Sequence, residues 1–215
     1  MEQLLDVIYE SILDGEMRET PGHVQAAIDA GITPKQILDD GMIEAMGEVG
    51  RLFEQGEFFV PEMLVSARAM QGGLSVLKPH LVDSDVESAG TFVIGTVKGD
   101  LHDIGKNLVS MMMEGGGFKV VDLGTDQSAE DFIAAIEEHK PDVVGMSALL
   151  TTTMGQMSNV IEALKEKGVR DDLIILIGGA PVTGAFAEEI GADAFCQSAG
   201  VAVDTSKKLM ALRSE

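Results

Sequence analysis

The spacing of the apolar residues changes once along the chain, and that change limits what the chain can fold into. Over residues 1–81 the spacing is helical. Leu4, Ile8 and Ile12 lie four apart, Leu38, Met42, Met46, Val49 and Phe53 continue the rhythm, and Met63, Ala67, Met70, Leu74 and Leu77 alternate steps of four and three. Gly15, the Thr20-Pro21-Gly22 cluster, the Gly31-Ile32-Thr33-Pro34 stop-and-start signal, and Gly56 with Pro61 divide this region into four helices. Their short connections predict an antiparallel bundle, an N-terminal helical domain. Residues 82–90, with Asp83, Ser84, Asp85, Glu87 and Ser88, carry no apolar period and read as a linker.

From residue 91 to residue 215 the rhythm alternates. Residues 91–97, 119–123, 142–147 and 173–177 are short β-rich runs, 192–195 is a candidate fifth strand, and the intervening segments have helical spacing. The crossover helix carrying Met154, Met157, Ile161 and Leu164 is one of these, and 201–212 closes the chain as a helix. Alternating strands and helices predict an α/β fold: an N-terminal four-helix cap plus a flavodoxin-like (Rossmann-type) parallel five-stranded domain. In such sheets ligands bind beyond the carboxyl ends of the strands.

Composition removes several classes of partner. A formal charge of −21 repels both nucleic-acid phosphates and anionic membrane surfaces. The single cysteine, Cys196, permits neither an internal disulfide nor a cysteine-based zinc site, which suits a reducing compartment. The N-terminal residues have no basic flank, and no apolar stretch approaches the roughly 20 residues a bilayer requires, so a cytoplasmic location is expected.

The strand-end rule selects four loops: 98–105, 147–153, 178–181 and 197–200. The first places Asp100, His102 and Asp103 ahead of a helix starting near Ile104. Neutral imidazole is a good metal ligand, and a neighbouring carboxylate such as Asp100 can accept its other ring proton; the same loop would also be explained by a histidine that caps the helix. The second, Ser147-Ala148-Leu149-Leu150-Thr151-Thr152-Thr153, offers four hydroxyls that could reach a ligand or Asp100, or cap the next helix. In the third, Gly178-Gly179-Ala180 permits close approach to backbone. Two other readings fail. The segment from Gly99 to Lys106 has five residues rather than four between its glycines and Asn107 in place of the Ser or Thr of a phosphate-binding P-loop, which excludes nucleotide hydrolysis. A phosphoacceptor receiver needs an aspartate at the end of the third strand, where this chain has Met146-Ser147.

Taken together, Asp100-x-His102-x-x-Gly105, Ser147-x-Leu149 and Gly178-Gly179 resemble the signature of cobalamin-binding domains. The surrounding run, Thr96-Val97-Lys98-Gly99-Asp100-Leu101-His102-Asp103-Ile104-Gly105-Lys106-Asn107, is similar both to cobalamin-dependent methionine synthase and to the small corrinoid proteins of methanol, methylamine and aryl methyl ether metabolism. Gly56-Glu57-Phe58-Phe59-Val60-Pro61-Glu62-Met63 is similar to the entry of that family's last cap helix. The resemblance spans nearly the whole chain and is that of a free-standing corrinoid protein.

The resemblance implies a cofactor, a set of contacts and a set of partners. The cofactor is cobalamin or a related corrinoid, its cobalt passing between cob(I)alamin and methylcobalamin in one-carbon metabolism. Its dimethylbenzimidazole tail leaves the cobalt and enters a cleft of the α/β domain, and His102 becomes the lower axial ligand with Asp100 on its other nitrogen. The hydroxyl that completes the relay falls at Thr153, with Thr151 as substitute. Leu101, Asp103, Ile104 and Gly105 lie in the motif beside the corrinoid. Ser147, Leu149, Gly178, Gly179 and Ala180 line the tail cleft, and Gln197, Ser198 and Ala199 close it. Phe53, Val60 and Met63 of the cap match positions over the upper face of the corrin, and each is equally well explained as bundle core. The implied partners are a substrate:corrinoid methyltransferase, a methylcorrinoid:acceptor methyltransferase and a reductive activase, with neither nucleic acid nor membrane. The implied role is a corrinoid subunit with little activity alone. Alternatives are a cobalamin-binding subunit of an adenosylcobalamin enzyme, which needs a barrel this chain lacks, or a cobalamin-dependent sensor, which needs a DNA-reading segment where no basic helix is present.

Overall fold

The computed structural model describes residues 2–82 and 88–213. It divides into two compact units, one holding the first five helices and the other all five strands. Of the linker expected over 82–90, residues 83–87 lie outside the described residues.

The first unit contains four helical rods, as the periodicity requires: α1 (Glu2–Leu13), α2 (Thr20–Asp29), a composite third rod, and α5 (Val60–Val82). The third rod begins as α3 (Pro34–Gln36), widens into a π-helical segment (Ile37–Ile43) and continues as α4 (Glu44–Glu54). Its start is the one the sequence signals: Thr33 is the N-cap, its hydroxyl accepting the Gln36 amide, and Pro34 opens the first turn. The π segment was not foreseen, because apolar residues stepping by four look the same whether or not one turn is widened. The core of the bundle is built from Ile8, Ile12, Val24, Ile37, Met42, Met46, Met63, Met70 and Leu77, all essentially inaccessible to solvent. Methionine takes the place of the missing aromatics.

The second unit is a five-stranded parallel sheet in the order β2-β1-β3-β4-β5, with β1 (Thr91–Thr96), β2 (Lys119–Asp122), β3 (Val143–Ser147), β4 (Ile174–Gly178) and β5 (Ala194–Phe195). The intervening helices are α6 (Ile104–Gly115), α7 (Ala129–His139), α8 (Gly155–Lys167) and α9 (Gly184–Ile190), and α10 (Ala199–Arg213) ends the chain. Successive side chains of a strand face opposite ways. Val144 and Met146 of β3, with Ile175 and Ile177 of β4, join one hydrophobic cluster with Phe132 of α7, Val160 and Leu164 of α8, and Ala187 of α9. The alternate residues Val143, Ile174 and Leu176 are also buried, so the other face is covered too. There Ser206 of α10 meets the sulfur of Met113 on α6. Strand β5 is shorter than the expected 192–195 because the Ala192 amide bonds the Ala187 carbonyl and completes the end of α9, leaving only Ala194 and Phe195 to pair.

This strand order reverses the winding direction between β1 and β3: the connection leaving β1 runs toward β2, while that leaving β3 runs toward β4. A crevice opens at such a switch point, beyond the carboxyl ends of β1 and β3. The loops 97–103 and 148–154 flank it.

Candidate functional site

Asp100 lies at the bottom of the crevice between β1 and β3 and is fully buried. Its two carboxylate oxygens face different loops. Oδ1 accepts the backbone amide of His102 at 3.1 Å and lies 2.7 Å from His102 Nδ1. Oδ2 accepts the amides of Leu149 at 2.8 Å and Leu150 at 3.2 Å, and the Thr153 hydroxyl at 2.8 Å. Burial by itself raises the carboxyl pKa. The bonds from the His102 ring, the Leu149 and His102 amides and the Thr153 hydroxyl outweigh it and hold the group well below the usual carboxylate range. Asp100 is therefore an anion and can only accept.

That fixes the histidine. An ionised acceptor 2.7 Å from Nδ1 requires the proton on Nδ1, and in the neutral imidazole that leaves the lone pair of Nε2 free. The His102 side chain is 51% exposed although its partner is wholly buried, so the imidazole is anchored at one nitrogen and accessible at the other. The loop is held locally as well: buried Thr96 donates its hydroxyl to the His102 carbonyl at 2.9 Å, and the Asp100 amide bonds the Val97 carbonyl at 3.1 Å. Around the ring, Leu101 and Ile104 are 73% and 76% exposed, and Leu149 and Leu150 are 43% and 41% exposed. Four large apolar side chains turned outward around one nitrogen donor form a surface suited to a flat, largely apolar ligand.

The remaining expected residues fall as follows. Asp103 and Gly105 are exposed at the start of α6. Thr153 is buried and donates its hydroxyl to Asp100, whereas Thr151 is exposed. Ser147 and Gly178 pair across the ends of β3 and β4. Gly179 has φ of 129°, and a Cβ there would lie 1.8 Å from the Ala148 carbonyl oxygen, so only glycine lets these two strand ends run together. Ala180 and Gln197 are exposed, Ser198 is half-buried with its hydroxyl accepting the Val201 amide, and Ala199 is buried at the start of α10. In the helical unit Phe53 is half-buried, Val60 is 37% exposed and Met63 is fully buried.

Two features were not anticipated. Lys106, in the first turn of α6, is only 2% exposed, and its ammonium bonds Asp122 at the end of β2 and Asn107 Oδ1 at 2.6 Å. Asp126, in the β2–α7 loop, takes a left-handed backbone with φ of 59° and bonds the His102-bearing loop. The sequence signal for Asp126 was no more than the turn-like run Gly124-Thr125-Asp126-Gln127-Ser128.

The donor set suits a cobalt macrocycle. The crevice presents one oriented imidazole, and among the described residues no group of three or more His, Cys, Asp and Glu is placed to hold a bare ion. A single protein nitrogen is what a metal needs when a macrocycle supplies its equatorial ligands. No helix among the described residues is long and apolar enough to cross a membrane.

Comparison with known proteins shows the family. Residues 90–205 and residues 4–78 each match a family model described as a B12 binding domain. The chain is 43% identical over 204 residues to the trimethylamine corrinoid protein of Methanosarcina barkeri, covering 94% of each chain. It is 41% identical over 210 residues to a corrinoid protein of Desulfitobacterium hafniense, covering 96% of this chain and 97% of the relative. It also superposes on a chain of the methanol:cobalamin methyltransferase complex of Methanosarcina barkeri with a TM-score of 0.87 at 33% identity, covering 97% of this chain and 80% of that one. The chain belongs to the cobalamin-binding corrinoid proteins, the methyl carriers of multicomponent methyltransferase systems.

Proposed function

We propose that this chain holds a corrinoid with its tail base displaced and the cobalt bound from below by His102 Nε2, and that it carries methyl groups derived from methylated amines between two methyltransferases. The observation that carries the reading is the hydrogen-bonded chain from Thr153 through Asp100 to His102 Nδ1, which leaves one exposed, unprotonated nitrogen, Nε2, at the switch point of the sheet. Bound there, cobalamin supplies a cobalt that accepts a methyl group from one partner and releases it to another.

The chain's own residues do the rest. Asp100 keeps the ring proton on Nδ1 and so the lone pair on Nε2, and the His102 ring, the Leu149 and His102 amides and the Thr153 hydroxyl keep Asp100 ionised. Leu101, Ile104, Leu149 and Leu150 would cover the lower apolar surface of the corrin. Ser147, Gly178 and Gly179 would line the tail's path between the ends of β3 and β4, with Gln197, Ser198 and Ala199 at its rim. Phe53 and Val60 are the cap residues with surface to offer the upper face. In the carrier role the partners are a substrate:corrinoid methyltransferase, an acceptor methyltransferase and a reductive activase that returns oxidised cobalt to the cycle. Identities of 40–43% to four trimethylamine corrinoid proteins support a methylated amine as donor.

The test is to load the protein with cobalamin, reduce it, and present methyltransferases specific for trimethylamine, dimethylamine, methanol and aryl methyl ethers. Methylation by an amine-specific enzyme is expected, and methylation by the methanol or aryl ether enzyme alone would overturn the donor assignment.

A further inference from the structure

The His102-bearing loop is gripped from two sides, and only the β3–α8 side belongs to the relay already described. On the other side the β2–α7 loop runs alongside it in a short ladder. The Thr96 amide bonds the Gly124 carbonyl at 2.9 Å, the Gln127 amide bonds the Thr96 carbonyl at 2.9 Å, and the Asp126 amide bonds the Asp100 carbonyl at 3.0 Å. The Asp126 side chain adds a further bond, its Oδ1 accepting the Gly99 amide at 2.7 Å. Asp126 thus holds Gly99 with its carboxylate and Asp100 with its backbone, the two residues that fix where the chain turns before His102.

Asp126 adopts φ of 59°, a conformation most side chains avoid and aspartate tolerates. Gly99, its partner, has φ of 81°. An exposed aspartate in a left-handed conformation, aimed at one amide of a neighbouring loop, is more than a turn former, because a turn alone would be served by glycine.

We propose that Asp126 is a positioning residue for the axial histidine: by bracing Gly99 and Asp100 it fixes the direction in which His102 Nε2 is presented to the cobalt. The inference rests on the ligation by His102 proposed above. The relay through Asp100 sets which nitrogen is free, and the brace through Asp126 sets where it points. Losing the brace leaves the tautomer unchanged and loosens the aim.

Three variants separate the backbone from the side chain. Asp126→Gly is at ease at positive φ and keeps the amide bond to Asp100 but loses the acceptor for Gly99. Asp126→Asn tolerates the same φ and keeps an acceptor oxygen. Asp126→Ser, too short to bridge to the Gly99 amide, is the second loss variant should the glycine chain fail to fold. In cobalamin-free protein, amide exchange at Gly99 is expected to quicken about 10-fold in the two loss variants and to stay near wild type in Asp126→Asn. With cobalamin bound, corrinoid affinity is expected to fall by about 10-fold or more in the loss variants, and the nitrogen coupling in the Co(II) EPR spectrum to weaken or broaden, with Asp126→Asn restoring both. If the wild type shows histidine coupling and a folded loss variant matches it in coupling, affinity and Gly99 exchange, the proposal is wrong. A wild type without histidine coupling instead overturns the ligation reading on which it rests.

Discussion

Asp100 does two jobs with its two oxygens, and a single substitution uncouples them. In Asp100→Asn the Leu149 and Leu150 amides and the Thr153 hydroxyl must be met by the one remaining oxygen, which turns the new NH2 group toward His102 Nδ1. A donor there forces Nδ1 to accept, moves the ring proton to Nε2 and removes the lone pair that would bind cobalt. The expected result is roughly a 10–100-fold loss of corrinoid affinity in a spectrophotometric titration. Unchanged affinity would show that the carboxylate does not set the tautomer. Cys196 gives an independent check on the packing at the end of β5. Burial pushes its thiol up to about 11, a hydrogen bond with Thr205 only partly offsetting this. The raised value favours the neutral thiol in the folded chain, so its contribution to stability is complete below the ordinary thiol range and is lost as pH rises toward 11. Native protein at pH near 8.5, the ordinary thiol value, should therefore resist alkylation until denatured, and rapid native alkylation would contradict the burial. At this scale Asp100 and His102 were legible in the sequence because they are two residues apart in one loop. Lys106 with Asp122 and Gly99 with Asp126 were not, because those partners are separated by 16 and 27 residues and meet only through the sheet.

The elements were more legible than their interiors. Periodicity gave four helical rods and five strands, and the parallel order followed from their alternation. The π-helical turn and the shortened β5 depended on hydrogen bonds that no period records. The strand glycines belong to the same class. Gly95 and Gly145 sit mid-strand, where a Cβ would come within 2.9 Å of the Phe132 ring and 2.5 Å of the Phe92 ring, so they make room for the few aromatics this chain has. Gly179 is the most demanding, and Gly179→Ala tests it. With φ of 129° and the Ala148 carbonyl oxygen 1.8 Å from the new Cβ, the ends of β3 and β4 must separate. The expected cost is about 3 kcal/mol or more in denaturant unfolding, with corrinoid binding lost together with stability. A variant as stable as wild type would mean that this turn is free to rearrange.

On the scale of the whole molecule the chain is a strongly acidic carrier that must be visited by other proteins. With 36 acidic and 15 basic residues its field extends beyond its surface by about a Debye length, about 8 Å at physiological salt. A methyltransferase that docks productively should therefore present a complementary basic face, and its association rate in stopped-flow mixing should fall steadily with added salt. A rate indifferent to salt would place recognition on apolar surface alone. The carrier reading depends on one proposed bond, from His102 Nε2 to cobalt. It is read most directly by the Co(II) EPR spectrum of cobalamin-loaded protein, grown with and without isotopically labelled histidine. The nitrogen coupling should change with the label and disappear in His102→Ala. A coupling that ignores the label and persists in that variant would show dimethylbenzimidazole still on the metal, and would contradict the account.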